Sequence, residues 1–506
     1  MLLRRRVALI RLRQESRGAR FASRSGLRYP RAEGASRGVM TTRPHKGSSA
    51  QGLKSPQGTG VAIRVGRGGV IAAGVRARGL ARDTQAEGIW YGDTSRKRPP
   101  RAGGASGAEI ARKRTWAAGG HPMSVFDEPV ERRGTGSVKW DRYRDTDIMP
   151  LWVADMDFRS PPAVIAALEE RVAHGVFGYG NAPADLADTL IAHLEAAHGW
   201  AVRPDWIVYL PGLVTGIHLA CRATGTPGDG VLTLTPVYPP FLSAPAPSGR
   251  ILQSVPLAHP AGGRYTFDWD GLAQAVTARS RLLLFCNPHN PVGRVYTRDE
   301  LERLGAFCER HDLVICADEI HAGLVLDPAA RHVSIATLAP ELARRTITLL
   351  APSKTYNIPG LGFSFAVIPD PDLRARFRAQ MKGIVPDVNV LGFSAGLAAY
   401  REGEPWRQAL IAYLRANAQT VAHAIAAIPG LSVSPVEATY LAWIDARGLG
   451  VANPQRFCEQ AGLGLSDGAD FGAPGFLRLN FGCQRAWLTQ ALRRLETAVA
   501  ARPSER

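Results

Sequence analysis

Five side chains in this 506-residue sequence follow short apolar runs closely enough to stand at the carboxyl ends of β-strands. Tyr238 comes after VLTLT (231–235), Asn287 and Asn290 come after LLLFC (282–286), Asp318 closes LVICAD (313–318), and Lys354 follows TITLLA (346–351). Ligands of open parallel sheets bind beyond those ends, so a ring, an amide, a carboxylate and an amine converge on one edge. Together they suit pyridoxal phosphate: a lysine to form the imine, an aspartate to keep the pyridine nitrogen protonated as an electron sink, an aromatic ring over its face, and a donor for the phenolate oxygen. The phosphate calls for a helix N-terminus. PGLVTGIHLAC (211–221), after the run WIVYL (206–210), offers one in which the Leu213, Val214 and Thr215 amides point outward and Gly212 permits close approach. Each residue alone has an ordinary explanation: a solvated surface lysine, an aspartate capping the next helix, a tyrosine packed in the PVYPP turn. Their conjunction carries the argument.

The elements that must position these groups are legible in the same runs. Each is apolar throughout, as in a strand buried on both faces, and they alternate with amphipathic stretches, as a parallel α/β sheet requires. Thr297 and Glu300 form a capping box ahead of Leu301, Leu304, Phe307 and Cys308, which starts a helix with one apolar face. Residues 371–427 read as long helices, and the stretch after ITLLA reads as loop. From about residue 430, LSVSPV, TYLAWID and FLRLNF alternate with helical segments, which predicts a second, smaller α/β domain. The expected division is an N-terminal segment (123–165) packing on the smaller domain, a large cofactor-binding domain (166–410) and a small C-terminal domain (411–506).

Charge separates the chain into two unlike parts. Of the 62 Lys and Arg and the 44 Asp and Glu, residues 1–122 hold 26 and 6, which leaves 36 basic against 38 acidic side chains from Met123 onward. The net charge of +18 therefore says nothing about the catalytic-looking part, and a nucleic-acid partner is not implied. The leader is rich in Arg, Gly, Ser and Ala, and is expected to be disordered. Its opening has the Arg-rich, acid-poor composition of a transit peptide, but a start codon assigned too far upstream of Met123 accounts for it more simply. The six cysteines make neither a CxxC pair nor a disulfide framework and sit in apolar runs, as reduced core residues of a cytoplasmic enzyme do. No apolar run is long enough to span a membrane. HExxH, Walker-type and GxSxG motifs are missing, and the scattered histidines imply no metal.

LWVADMDF (151–158), FGYG (177–180), PGLVTGI (211–217), PVYPPF (236–241), NPHNPVGRVYT (287–297), ADEIHAGLVL (317–326) and APSKTYNIPGLGFS (351–364) resemble the fold-type I pyridoxal-phosphate enzymes of the aminotransferase superfamily (class I/II). More narrowly, they resemble the MalY/PatB branch of cystathionine (cysteine-S-conjugate) β-lyases, from about Val125 to the end of the chain. The resemblance implies an α/β fold of the pyridoxal-phosphate-dependent transferase type, a large domain with a mostly parallel sheet and a smaller C-terminal α/β domain. It implies that Lys354 is the Schiff-base lysine, Asp318 the partner of the pyridine nitrogen, Asn290 the holder of the phenolate oxygen and Tyr238 the stacking ring with a catalytic part. Arg478 in GFLRLNFG resembles the arginine that clamps the substrate α-carboxylate, with Ala154 and Asp155 on a neighbouring substrate loop. Ser353 and the amides of Val214 and Thr215 are left for the phosphate. Tyr179 resembles the tyrosine lent to the neighbouring subunit, which implies a homodimer. Substrate side-chain contacts are expected from loops near Trp152, Asp155 and Tyr356.

Two departures bear on the reaction. Typical aminotransferases carry an arginine eight residues after the lysine, where this chain has Gly362, and a tyrosine where it has His321 as a cofactor contact. Both fit the lyase branch: α,β-elimination of L-cystathionine or a related amino-acid thioether to a thiol, pyruvate and ammonia, in sulfur amino-acid metabolism and methionine biosynthesis. A class I/II aminotransferase using the same lysine and aspartate is the alternative. A third reading, a cofactor-binding transcriptional regulator, lacks a helix-turn-helix pattern in the leader.

Overall fold

In the computed structural model, residues 124–259 and 263–502 are described; the leader expectations for 1–122 lie outside them. Thirteen strands are present among the described residues: β1 (Met149–Pro150), β2 (Ile207–Leu210), β3 (Gly230–Thr235), β4 (Ile251–Pro256), β5 (Ser280–Cys286), β6 (Val314–Asp318), β7 (Thr346–Leu350), β8 (Ser364–Val367), β9 (Ser432–Val433), β10 (Leu441–Asp445), β11 (Leu463–Gly464), β12 (Ser466–Asp467) and β13 (Phe476–Asn480). The longer helices are α1 (Pro162–His174), α2 (Leu186–His198), α3 (Leu213–Ala223), α4 (Arg298–Arg310), α5 (Pro371–Met381), α6 (Val390–Glu402), α7 (Glu404–Ala426) and α8 (Arg485–Ala500).

Seven strands form one sheet in the order β2-β8-β7-β6-β5-β3-β4, parallel except for β8, which runs against both neighbours. The apolar runs fill both faces because alternate side chains point to opposite sides. Leu282 and Leu284 of β5 pack with Leu213 and Ile217 of α3, whereas Leu283 and Phe285 pack with Leu301, Leu304 and Cys308 of α4. The Thr297 hydroxyl accepts from Glu300 N at 3.3 Å, and the Glu300 carboxylate accepts from Thr297 N at 2.8 Å, so the capping box forms as expected.

Two strands of this sheet were not read from the sequence. β4 (ILQSVP) has mostly exposed side chains and lies at the sheet edge, where the pattern of a buried strand is lost. The stretch after ITLLA, expected to be loop throughout, holds β8 (SFAV), fully buried and only four residues long. This correction matters for the site. The chain leaves the carboxyl end of β7, carries Lys354, and returns as β8 beside β7, so Lys354 is held at the carboxyl edge by a connection between antiparallel neighbours.

A second, antiparallel sheet, β12-β13-β10-β9, packs with α7 and α8 around its own core of Leu414, Val421, Tyr440, Leu477 and Leu488. Residues 124–158 are pinned to it. β1 pairs with β11, Asn480 Nδ2 donates to the carbonyls of Val153 and Asp155, and Lys139, fully buried, donates to Asp157 Oδ2 at 2.7 Å. Arg132 and the Trp140 indole N–H converge on the same Asp157 carboxylate, so one buried charge is met by two cations and a neutral donor. This network sets the path of the 152–155 loop.

Candidate active site

Register across β5, β6 and β7 aligns Cys286 with Asp318 and Asp318 with Leu349, so the turns after these strands open side by side. They surround a cavity of about 420 Å³ lined by Trp152, Tyr238, Asn290, Asp318, His321 and Lys354, with Arg478 entering from β13 and Val214, Thr215 and Ser353 on the far wall. Asn290 is brought against Arg478, whose Nη1 donates to Asn290 Oδ1 at 3.1 Å. Arg478 Nη2 donates to the Trp152 carbonyl at 2.8 Å, and Nε has no acceptor among the described residues although the side chain is buried. No carboxylate pairs with it there. A buried guanidinium with a spare N–H is suited to a carboxylate arriving from outside.

Lys354 Nζ donates to the Ala154 carbonyl at 2.6 Å, and the Tyr440 hydroxyl donates to the same oxygen at 2.8 Å. Burial pulls the Lys354 ammonium down to about 8; Arg478 pushes the same way, while the charges of Asp155 and Asp318 oppose it. Asp318 is buried without a cationic side chain in contact, and burial pushes its carboxyl up to about 7, held back by the Ile320 N–H and by Lys354. Burial also drives His321 down to about 3, with Lys354 and Arg478 adding to the shift, so its ring is neutral; Nδ1 has no partner among the described residues. The Tyr238 phenol is raised by burial and stays protonated at neutral pH.

The fit to pyridoxal phosphate can be read from these groups. Asp318 is a buried carboxylate that a cationic ring nitrogen would neutralise, and Lys354 is an amine facing the same cavity. α3 begins at Gly212 without a side-chain cap, so the Leu213, Val214 and Thr215 amides have no acceptor among the described residues and are available to phosphate oxygens. Gly362 explains the missing arginine. Its φ is +64°, and a Cβ there would lie 3.3 Å from the Pro211 carbonyl, so the backbone itself closes on the turn that starts α3. The residues fit the cofactor.

Three expected contacts are placed elsewhere. Asn287 is fully buried and tied to the Val333 carbonyl and the Tyr296 amide, away from the cavity. The Asp155 carboxylate turns to Arg132 at 2.6 Å and does not line the cavity; its neighbour Ala154 contributes through its carbonyl. Tyr356 lines a different cavity. Tyr179 touches nothing of this site and is fully exposed between α1 and α2. Tyr440 and Ser466, which meets Arg478 at 3.3 Å, were not anticipated. Both reach the site through β10 and β12 beside β13, and pairing of distant strands leaves no local sequence signal.

A cofactor-binding edge of this topology, with lysine, aspartate and asparagine on adjacent turns, defines a class of protein, and the aminotransferase class I and II family profile matches residues 146–495. The chain belongs to that family. It is 38% identical over 387 residues to the cystathionine beta-lyase PatB of Bacillus subtilis, a match covering 74% of this chain and all of PatB. The crystal structure of OvoB is 48% identical with a TM-score of 0.73, over 75% of this chain and all of that one. Cystalysin from Treponema denticola, solved with pyridoxal 5'-phosphate, is 33% identical with a TM-score of 0.71, over 74% of this chain and 98% of that one.

Proposed function

We propose that this chain is a pyridoxal-phosphate-dependent carbon–sulfur β-lyase that cleaves L-cystathionine or a related cysteine S-conjugate to a thiol, pyruvate and ammonia. One observation carries the reading: a buried, carboxylate-free Arg478 and the weakly basic Lys354 line one cavity with Asp318, in a chain that aligns with the whole of a cystathionine beta-lyase. Lys354, Asp318, Asn290, Tyr238, His321, Ser353 and the amides of Val214 and Thr215 would hold the cofactor. When bound, it supplies a cationic conjugated ring that takes up the electron pair left by loss of the substrate α-proton.

The chain's own groups do the rest. Arg478 gives up its bonds to the Trp152 carbonyl and Asn290 and grips the α-carboxylate, which turns Cα toward Lys354. Nζ, unprotonated, takes the α-proton. The Cβ–S bond then breaks with its electron pair going to sulfur, and the proton held on Nζ is available to the departing thiolate. Ala154 O accepts from Nζ and keeps the amine on the reacting side. The aminoacrylate released hydrolyses to pyruvate and ammonia. The large and small domains expected from the sequence correspond in this reading to the seven-stranded and four-stranded sheets.

Purified protein given L-cystathionine and no keto acid should form pyruvate and free thiol at equal rates; product appearing only when a keto acid is added would make the chain an aminotransferase. The pH dependence follows from Lys354. Its amine is free above its pKa, so the rate should climb about tenfold per unit below pH 8 and level off above about pH 9. A profile flat between pH 6 and 8 would remove Lys354 from the role of base.

We further infer a homodimer in which the fully exposed Tyr179 serves the neighbouring site. Mixing Tyr179→Ala with Lys354→Ala subunits should restore turnover, because the hybrid has one site with both residues intact. No recovery after the subunits have exchanged would mean that Tyr179 does not serve the neighbouring site. A cytoplasmic setting is supported by six free, buried cysteines. Among the described residues no helix is long and apolar enough to cross a membrane.

A further inference from the structure

The cavity that holds Lys354 and Asp318 has a neighbour of about 330 Å³, and Trp152, Tyr238 and Arg478 line both. A substrate held by its carboxylate on Arg478 can therefore send the group on its sulfur past Trp152 and Tyr238 into this neighbour. Two opposite charges stand in its wall. Arg142 follows the short helix Val138–Asp141, and its guanidinium lies over the Trp152 ring at 4.6 Å. Its one ion pair among the described residues, to Glu459, is long at 3.7 Å, and the Tyr143 hydroxyl already donates to the same Glu459 oxygen at 2.6 Å. Asp470 is exposed and has neither a hydrogen bond nor an ion pair among the described residues. Asp467, on the same wall, differs: its Oδ1 accepts from Ala469 N at 3.0 Å and caps the turn.

Both free charges are tied to the carboxylate clamp. The Trp152 indole donates to the Lys139 carbonyl at 3.1 Å, and the Trp152 carbonyl accepts from Arg478 and from the Ser466 hydroxyl, so the ring beneath Arg142 is fixed relative to the clamp. Asp470 lies in the turn Gly468–Phe471 that continues β12, and the next residue, Phe471, is the ring against which Arg478 lies at 4.6 Å. Arg142 and Asp470 make no ion pair with each other. A cation and an anion held apart on one wall, at set positions from the clamp, match a ligand that brings both opposite charges.

We propose that Arg142 and Asp470 select the substrate: a thioether of two amino acids, whose far carboxylate is taken by Arg142 and whose far ammonium is taken by Asp470. The inference rests on the carbon–sulfur lyase reading and narrows it, because a cysteine conjugate with a plain alkyl group on sulfur leaves both charges unused.

Pyruvate release by the holoenzyme from four conjugates tests it: L-cystathionine, S-(3-carboxypropyl)-L-cysteine, S-(3-aminopropyl)-L-cysteine and S-propyl-L-cysteine. Arg142→Ala should lower kcat/KM about fivefold or more, through KM, for the first two, which carry the far carboxylate, and change the other two by less than about twofold. Asp470→Asn should act on L-cystathionine and the aminopropyl conjugate and spare the carboxypropyl and propyl ones. Both side chains reach the surface, so these replacements leave the fold intact. On the Lys354→Ala background, where turnover is lost, calorimetric Kd values for L-cystathionine should weaken by the same factors. Equal losses on all four conjugates, or an undiminished kcat/KM for L-cystathionine in either variant, would overturn the proposal and leave the lyase reading standing. No pyruvate from any of the four with the unaltered protein would bring down the lyase reading, and this inference with it.

Discussion

Lys354→Ala should reduce turnover of L-cystathionine by about four orders of magnitude, the upper end of what a positioned proton-transfer group contributes, and abolish the visible absorbance band of the lysine-bound cofactor. Among the described residues, Nζ is the one amine lining the cavity. Burial has already moved it to about 8, where it can be free at working pH yet remain basic enough to take the α-proton. No nearby group can replace it. His321 is neutral but too weak a base at about 3, and Tyr238 is held protonated by burial. Lys354→Arg should be equally inactive, because a guanidinium keeps its proton throughout the working range. Added methylamine should recover part of the lost rate, since a small free amine can enter the space left by the side chain. Stopped assays for pyruvate with and without the amine check this; residual turnover above about one per cent of the parent would mean that another group removes the proton.

Arg478→Ala is expected to lower kcat/KM by two to three powers of ten, from the loss of about 3–4 kcal/mol of charge-assisted binding in a buried setting. The guanidinium is desolvated enough for burial to pull it down to about 10, and it lies over the Phe471 ring at 4.6 Å, which fixes its plane. The substrate carboxylate is bound before the reaction and throughout it, so most of the change should fall on KM rather than kcat. Arg478→Lys should recover little, because an ammonium offers a point charge in place of the planar fork. Steady-state kinetics with L-cystathionine separate the two constants. A fall in kcat with KM unchanged would show that Arg478 positions other groups, through Asn290 or the Trp152 loop, without gripping substrate.

Much of the site could be read before any fold was known because its residues are tied to local events. Asp318 and Lys354 sit within a few residues of strand ends whose apolar runs are buried on both faces, and α3 starts where a helix must leave its first amides free. The Thr297–Glu300 box is local in the same sense. β8 escaped because four residues carry too little periodicity to separate a buried strand from loop, and β4 because an edge strand need not be apolar.

The sequence by itself determined which chemical groups this protein brings to its cofactor edge: an amine, a carboxylate, an amide and an aromatic ring at or just beyond strand ends that short-range patterning dictates, and a guanidinium, Arg478, that family resemblance singles out in the middle of β13. Tertiary structure decided where neighbouring side chains face. Asp155 and Ala154 are adjacent in sequence, yet Asp155 turns to Arg132 while the Ala154 carbonyl meets Lys354, because the cluster of Lys139, Arg132 and Asp157 fixes the loop from outside. Tyr440 and Ser466 reach Arg478 and the Ala154 carbonyl only because β10 and β12 pair with β13. The neighbouring cavity arises in the same way, from Arg142 and Asp470 on segments that meet only in the folded chain. Local patterning follows from backbone geometry within a few residues, whereas the direction of a buried polar side chain is set by the partner that satisfies it, and that partner comes from a distant part of the chain.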